Sequence, residues 1–260
     1  MQPLAERSLV RFMRHESWDN ALFVHYPVDA ARLQSKLPDG LVVDEHQGVA
    51  YVGIVLLTER GITPCLPGVP QWMVEWLSMS HHAVNVRTYV RPAKPAVGPP
   101  GIFFFTLECS ALLPAVGAHL LFNLPYRWAR MDRGRRDSEM TLESSRVVST
   151  ASVSATWRLE DEQLRQEEAE LGRFFVERYA LYNTPGPLLR LVMGASRLWS
   201  GVITHEPWPL RRVRLVAHEG LCSSLLSSVG LSELVRGGDG IAHASSGVGP
   251  IEFFWQGGIA

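Results

Sequence analysis

Lysine is nearly missing from this chain. Of 25 basic residues only Lys36 and Lys94 are lysines, so 23 are arginines. Amine chemistry is thereby confined to two positions, because a guanidinium stays protonated and is no nucleophile at neutral pH. Cysteine is scarce as well. Cys65, Cys109 and Cys222 are an odd number at wide spacing, with no C-x-x-C. That usage points to reduced thiols in a cytoplasmic protein and excludes a disulfide framework. The N-terminal stretch holds no basic segment followed by an apolar one, so no signal peptide is read, and no apolar run reaches transmembrane length. A formal net charge of −1 over 260 residues gives no reason to expect nucleic acid or a membrane as partner.

Familiar catalytic signatures are absent too. There is no G-x-S-x-G, no P-loop, and the "GVG" at 247–249 does not extend to a dinucleotide fingerprint. "HEPWP" (205–209) and "HEGLC" (218–222) each begin His-Glu, but neither completes H-E-x-x-H. "DEH" (44–46) and the pair His81–His82 are too small to argue a metal site, and no cofactor is expected.

What is present is an ordinary globular composition, with 46% hydrophobic residues, enough for a sizeable core. The pattern predicts one β-rich domain over residues 1–260, a barrel or sandwich with peripheral helices. Residues 1–17 read as a lead-in with a short helix. Strands are expected at 21–28, 41–59 (two, around a Gln-Gly turn), 82–90 and 102–110. Asp29 is placed to cap a short helix that stops at Pro38. Residues 61–80, with three prolines, read as a loop, and 91–101 as a hairpin loop. Further strands are expected over 125–160 around the charged turn "DRGRRDSE", with a helix over 160–183. The last part, from 200 to 255, reads as strands with a short helix at "LCSSLLSSVG".

Two strands carry the polar residues of interest. In "HAVNVRTYV", alternation puts Ala83, Asn85, Arg87 and Tyr89 on one face and the valines on the other. The polar face is either solvated or turned into a cavity. In "IFFFTLECS", alternation groups Ile102, Phe104, Thr106 and Glu108. A buried carboxylate needs a partner, and Arg87 across the hairpin is the candidate. His25 is expected to be a hydrogen-bonded core histidine, Tyr179 and Tyr182 to pack a barrel end, and "RGRRD" (133–137) to be a solvated hairpin tip.

The segments "SWDNALFVHYPVDAARLQSKLPDGL", "GVAYVGIV", "NVRTYV", "GIFFFTLECS", "FNLPYRWARM", "FFVERYALYN", "ITHEPWPL" and "HASSGV" are short, but their order and spacing are specific. Through them the chain resembles the YqjF-like family of uncharacterised bacterial proteins, which shares the acetoacetate-decarboxylase-like fold. The resemblance implies a β-barrel with a central cavity and decorating helices. In acetoacetate decarboxylases a lysine of the barrel forms a Schiff base with a β-keto acid, and a neighbouring lysine lowers its pKa; that enzyme is a standard example of the effect. The matching pair falls here on Tyr126 and Arg127, so the amine is absent. The family also usually carries a glutamate where this chain has Ala83, which moves any acid–base role to Glu108 or a histidine.

The resemblance and the residues together imply a cavity for a small anionic or carbonyl-bearing molecule. Arg87 would hold a carboxylate; Asn85, Tyr89, Tyr126, Arg127, His119 and Trp208 would line the site. Tyr126 and Glu108 are the candidates for catalysis, in a decarboxylase, hydratase or lyase working without a Schiff base. The same residues suit a non-catalytic ligand-binding or sensing protein, or a purely structural polar network.

Overall fold

The computed structural model describes residues 9–66, 68–95, 98–111, 123–184, 198–219, 221–238 and 240–259. Among the described residues fourteen strands belong to one continuous sheet, and its pairings close on themselves. The first three strands in the chain are β1 (Val10–His15), β2 (Ser17–Val28) and β3 (Leu41–Val43). The helix α1 (Ala30–Gln34) lies between β2 and β3, and Asp29 caps it by accepting from the Arg32 amide at 2.9 Å. Next come β4 (Ala50–Pro64), β5 (Met79–Pro92) and β6 (Gly101–Cys109), then the meander β7 (Tyr126–Arg136), β8 (Glu139–Arg146) and β9 (Ser152–Leu159). After helix α2 (Gln166–Val176) follow β10 (Ala180–Asn183), β11 (Leu198–Thr204), β12 (Leu210–Glu219), β13 (Ile241–Val248) and β14 (Ile251–Ile259).

Two closed circuits share the strands β4, β5 and β6. One runs β1–β14–β11–β10–β6–β5–β4 and returns to β1 through Met13 opposite Pro64. The other runs β6–β7–β8–β9–β12–β13–β2–β4–β5. The shared strands are therefore buried on both faces, and this is why "AYVGIVLL" is an unbroken apolar run and not an alternating one. Val52, Ile54 and Leu56 of β4, with Val84 and Val86 of β5, pack into a core filled by Leu142, Trp157 and Leu221. The opposite faces, including Val55, Leu57 and Ala83, turn toward Trp199, Ile203 and Trp208.

The structure corrects several element boundaries. The lead-in is not helical from residue 10 onward: Val10–His15 is a strand clamped between β14 and β4. The region 61–80 is shorter as a connection than its prolines suggest. β4 runs to Pro64 and β5 begins at Met79, with two 3-10 turns at Gln71–Met73 and Glu75–Leu77. The predicted helix at 160–183 ends at Val176. Ala180–Asn183 instead forms β10, all four residues buried, because pairing with β11 places Leu181 and Tyr182 in the interior. The charged turn narrows to Asp137 and Ser138, with Asp137 at φ 53°. Among the described residues no helix is long and apolar enough to cross a membrane.

Candidate functional site

The first circuit encloses a cavity of about 300 Å³. The residues that line it come from β1, β2, β4, β5, β6, β7, β10, β11 and β14, from the end of α2 and from adjoining loops, and most are aliphatic or aromatic. Into this apolar space the β4–β5 ladder projects a row of polar groups. Strand alternation turns Asn85 and Arg87 inward, as the two-residue period requires. The ladder pairs Val55 with Asn85, Leu57 with Ala83 and Glu59 with His81.

At one end stands Arg87. Its Nη2 donates to the Phe175 carbonyl at 3.1 Å, and its guanidinium lies 5.8 Å from the Phe23 ring and 5.9 Å from the Tyr89 ring. Among the described residues no carboxylate forms an ion pair with it. The neighbouring Arg178 differs, since it is neutralised by Asp44 at 2.6 Å. Asn85, 5% exposed, carries a buried Oδ1 with no hydrogen-bond partner among the described residues. Behind Arg87, His25 Nε2 and the Tyr89 hydroxyl lie 2.6 Å apart, and the His25 ring stacks on Phe175 at 3.6 Å. Burial lowers the pKa of His25 well below its ordinary range, with the Arg87 charge adding to the effect. Burial likewise raises that of Tyr89. Tyr89 is fully buried and supports Arg87 from behind; it is not among the residues lining the cavity.

Farther along, Glu59 Oε2 lies 3.4 Å from His81 Nε2, with side chains 13% and 2% exposed. Loss of solvent raises the Glu59 pKa, and the His81 charge opposes that only in part. Tyr126 lines the same stretch, its phenol pushed well above its ordinary pKa by burial and then by the charge of Glu59. His15 completes this end. It accepts from Trp18 Nε1 at 2.9 Å, and burial, with a smaller contribution from His81, lowers its pKa to about 3.

Trp208 lines the cavity beside His205, edge-on to Phe23 at 5.1 Å and stacked on Trp18 at 5.9 Å. The Trp208 amide donates to Glu177 Oε1 at 2.8 Å, so the carboxylate just after α2 fixes this corner.

Asn85, Arg87, Tyr126 and Trp208 are thus brought together around the cavity. Glu108 and Arg127 are not. Glu108 is 1% exposed and bonds Arg146 Nε at 2.6 Å and Ser144 Oγ at 2.9 Å, on the side of the sheet away from the cavity. Its partner is Arg146, not Arg87. The cause is a bulge: Arg87 pairs with Phe104 and Val86 with Thr106, so Phe105 is an extra residue and the alternation of β6 inverts after it. Ile102, Phe104 and Leu107 therefore face the cavity, while Thr106 and Glu108 face Arg146. Arg127 is exposed on β7, one residue past the inward-facing Tyr126. His119 lies outside the described residues. Lys36 and Lys94 are both exposed and line no part of the cavity. Cys109 is buried, donates to the Ala111 carbonyl at 2.9 Å, and has its thiol pushed up to about 12 by burial.

Sequence reasoning missed Glu59 and His81 as a pair. Glu59 continues the inward face Val55–Leu57 of β4, so alternation contained a signal for its direction. Its partner depended on the β4–β5 register.

A strand-rich protein with peripheral helices and a closed circuit of strands around this cavity has the acetoacetate-decarboxylase-like fold. The acetoacetate decarboxylase of Legionella pneumophila is similar in structure, with a TM-score of 0.59 and 14% identity, covering 100% of this chain and 92% of that one. The enduracididine biosynthesis enzyme MppR, complexed with pyruvate, follows at a TM-score of 0.57 and 13% identity, covering 98% of this chain and 92% of that one. An acetoacetate decarboxylase-like enzyme from Sphingomonas wittichii RW1 gives a TM-score of 0.56 at 12% identity, over 96% of this chain and 92% of that one. Such low identities establish the fold alone. The chain belongs to the DUF2071 family of uncharacterized conserved proteins, whose model it matches over residues 15–249. It is also 28% identical to the uncharacterized protein YqjF of Bacillus subtilis (strain 168) over 205 residues, 77% of this chain and 76% of that one.

Proposed function

We propose that the cavity binds a small molecule bearing a carboxylate, or a carbonyl beside one, and does so without a Schiff-base lysine. One observation carries this reading: Arg87 presents a guanidinium in an apolar enclosure with no carboxylate paired to it among the described residues. A cation in that position is costly unless something anionic meets it, and the planar fork of arginine suits a carboxylate. Asn85 beside it holds an amide oxygen without a partner among the described residues. The two lysines stand exposed, so any chemistry on the ligand would use other groups.

The Glu59–His81 pair favours chemistry over binding alone. A carboxyl group whose pKa is raised by burial, set beside an imidazole, is suited to pass a proton to or from a ligand. Tyr126 can donate a hydrogen bond to a developing oxyanion. A non-catalytic sensor would need Arg87 but not this pair.

Thermal-shift titration tests the reading. Pyruvate, with which MppR forms its complex, and butyrate are compared with their neutral amides on the wild type and on Arg87→Gln. The acids should raise the melting temperature of the wild type, the amides should not, and Arg87→Gln should abolish the difference. Equal stabilisation by acid and amide would sink the reading.

A further inference from the structure

We infer that the ligand is an elongated carboxylate with an apolar middle, whose far end carries a hydroxyl or carbonyl group held by Glu59 and His81. This inference rests on the reading of Arg87 as the carboxylate holder and goes beyond it by fixing the size and the second functional group.

The polar groups occupy two stations on one face of β5. Asn85 and Arg87 form the first, and His81, opposite Glu59, forms the second. Side chains on one face of a strand recur about every 6.6 Å, so roughly 13 Å of extended backbone separates His81 from Asn85, and about 20 Å separates it from Arg87. A three-carbon acid seated on Arg87 cannot reach across that span. Between the stations Leu57 and Leu107 line the cavity, and Ala83 sits opposite Leu57 with only a methyl group. The space of about 300 Å³ equals roughly ten water volumes, which suits a body of about six to ten carbons. Such a body would remove the apolar lining from water, and its head would meet the unpaired guanidinium.

The second station suits a neutral polar group. Glu59 and His81 lie 3.4 Å apart, and between them they can accept and donate hydrogen bonds whichever of them holds the proton. Tyr126 stays protonated there and adds a donor. A hydroxyl or carbonyl oxygen can hydrogen-bond to these groups, whereas a plain methyl end can make no such bond.

Isothermal titration calorimetry on the intact protein tests this with butyrate, hexanoate, octanoate and 8-hydroxyoctanoate. Affinity should climb from butyrate to octanoate by up to roughly fourfold per methylene, the transfer value for a buried methylene. The terminal hydroxyl should add about fivefold over octanoate, the value of one net hydrogen bond. Glu59→Leu should lose the hydroxyl preference, read as the ratio of 8-hydroxyoctanoate to octanoate affinity in the variant. The wild-type series decides the matter even if that variant fails to fold. Affinity that is flat or falling with length, or 8-hydroxyoctanoate binding no tighter than octanoate, overturns the inference. In that case weaker binding of every acid to Arg87→Gln leaves the carboxylate reading standing. Absence of binding for all four acids, or Arg87→Gln binding them as the wild type does, overturns the carboxylate reading and this inference with it.

Discussion

Glu59 and His81 stand opposite each other on adjacent strands, Oε2 and Nε2 3.4 Å apart, in the wall of a largely apolar cavity. The pair is nearly sealed from solvent, and burial holds the Glu59 proton more tightly in the folded chain than the ordinary value of 4.5.

A carboxyl group with a raised folded-state pKa favours folding below pH 4.5 and loses that contribution as pH rises through its folded value, because the folded state binds the extra proton. Glu59→Gln removes this loss. The melting temperature of Glu59→Gln relative to the wild type should therefore increase from pH 4.5 toward neutrality. Parallel melting curves for the two proteins across that window would show that the carboxyl is not held protonated.

His15 should show the opposite sign. Its folded-state pKa is lowered to about 3 from 6.5, so its contribution to stability is full above 6.5 and is lost as pH falls toward 3. In NMR titration its ring signals should stay at the neutral position at pH 5, where exposed imidazoles are already charged. A midpoint near 6.5 would mean that water reaches the ring.

Glu108 and Arg146 form a buried ion pair on the side of β6 away from the cavity, with side chains 1% and 8% exposed. Arg146→Met leaves the carboxylate unpaired and should cost about 3–5 kcal/mol. Adding Glu108→Gln should recover much of that, since the uncompensated charge is gone. Urea denaturation of the single and double variants measures both changes. Carboxylate binding at Arg87 should survive in the double variant.

Gly53 lies opposite Arg87, where a Cβ would sit 2.8 Å from His25 Cδ2 and 3.0 Å from the Tyr89 hydroxyl. Gly53→Ala should destabilise the chain by about 1–3 kcal/mol through overpacking. It should also weaken ligand binding at Arg87, because His25 and Tyr89 support that guanidinium. A stability change without any change in binding would separate the two roles.

Much of this protein was decided by local sequence. The two-residue period of "HAVNVRTYV" alone puts Asn85 and Arg87 on one face and the valines on the other, and the same period carries Glu59 along the inward face of β4. The Asp29 cap and the order of most strands follow from short-range chemistry as well. The scarcity of lysine is a property of the chain itself. Three features were settled only by tertiary structure. The single extra residue at Phe105 inverts β6, takes Glu108 out of the cavity and hands it to Arg146; an alternation rule cannot foresee a bulge, which depends on how two strands pair. The meeting of Glu59 with His81 is a matter of register between β4 and β5, set by burial of both faces at once. And "ALYN" joins the sheet instead of extending α2, because pairing with β11 and burial of Leu181 and Tyr182 outweigh local helix preference.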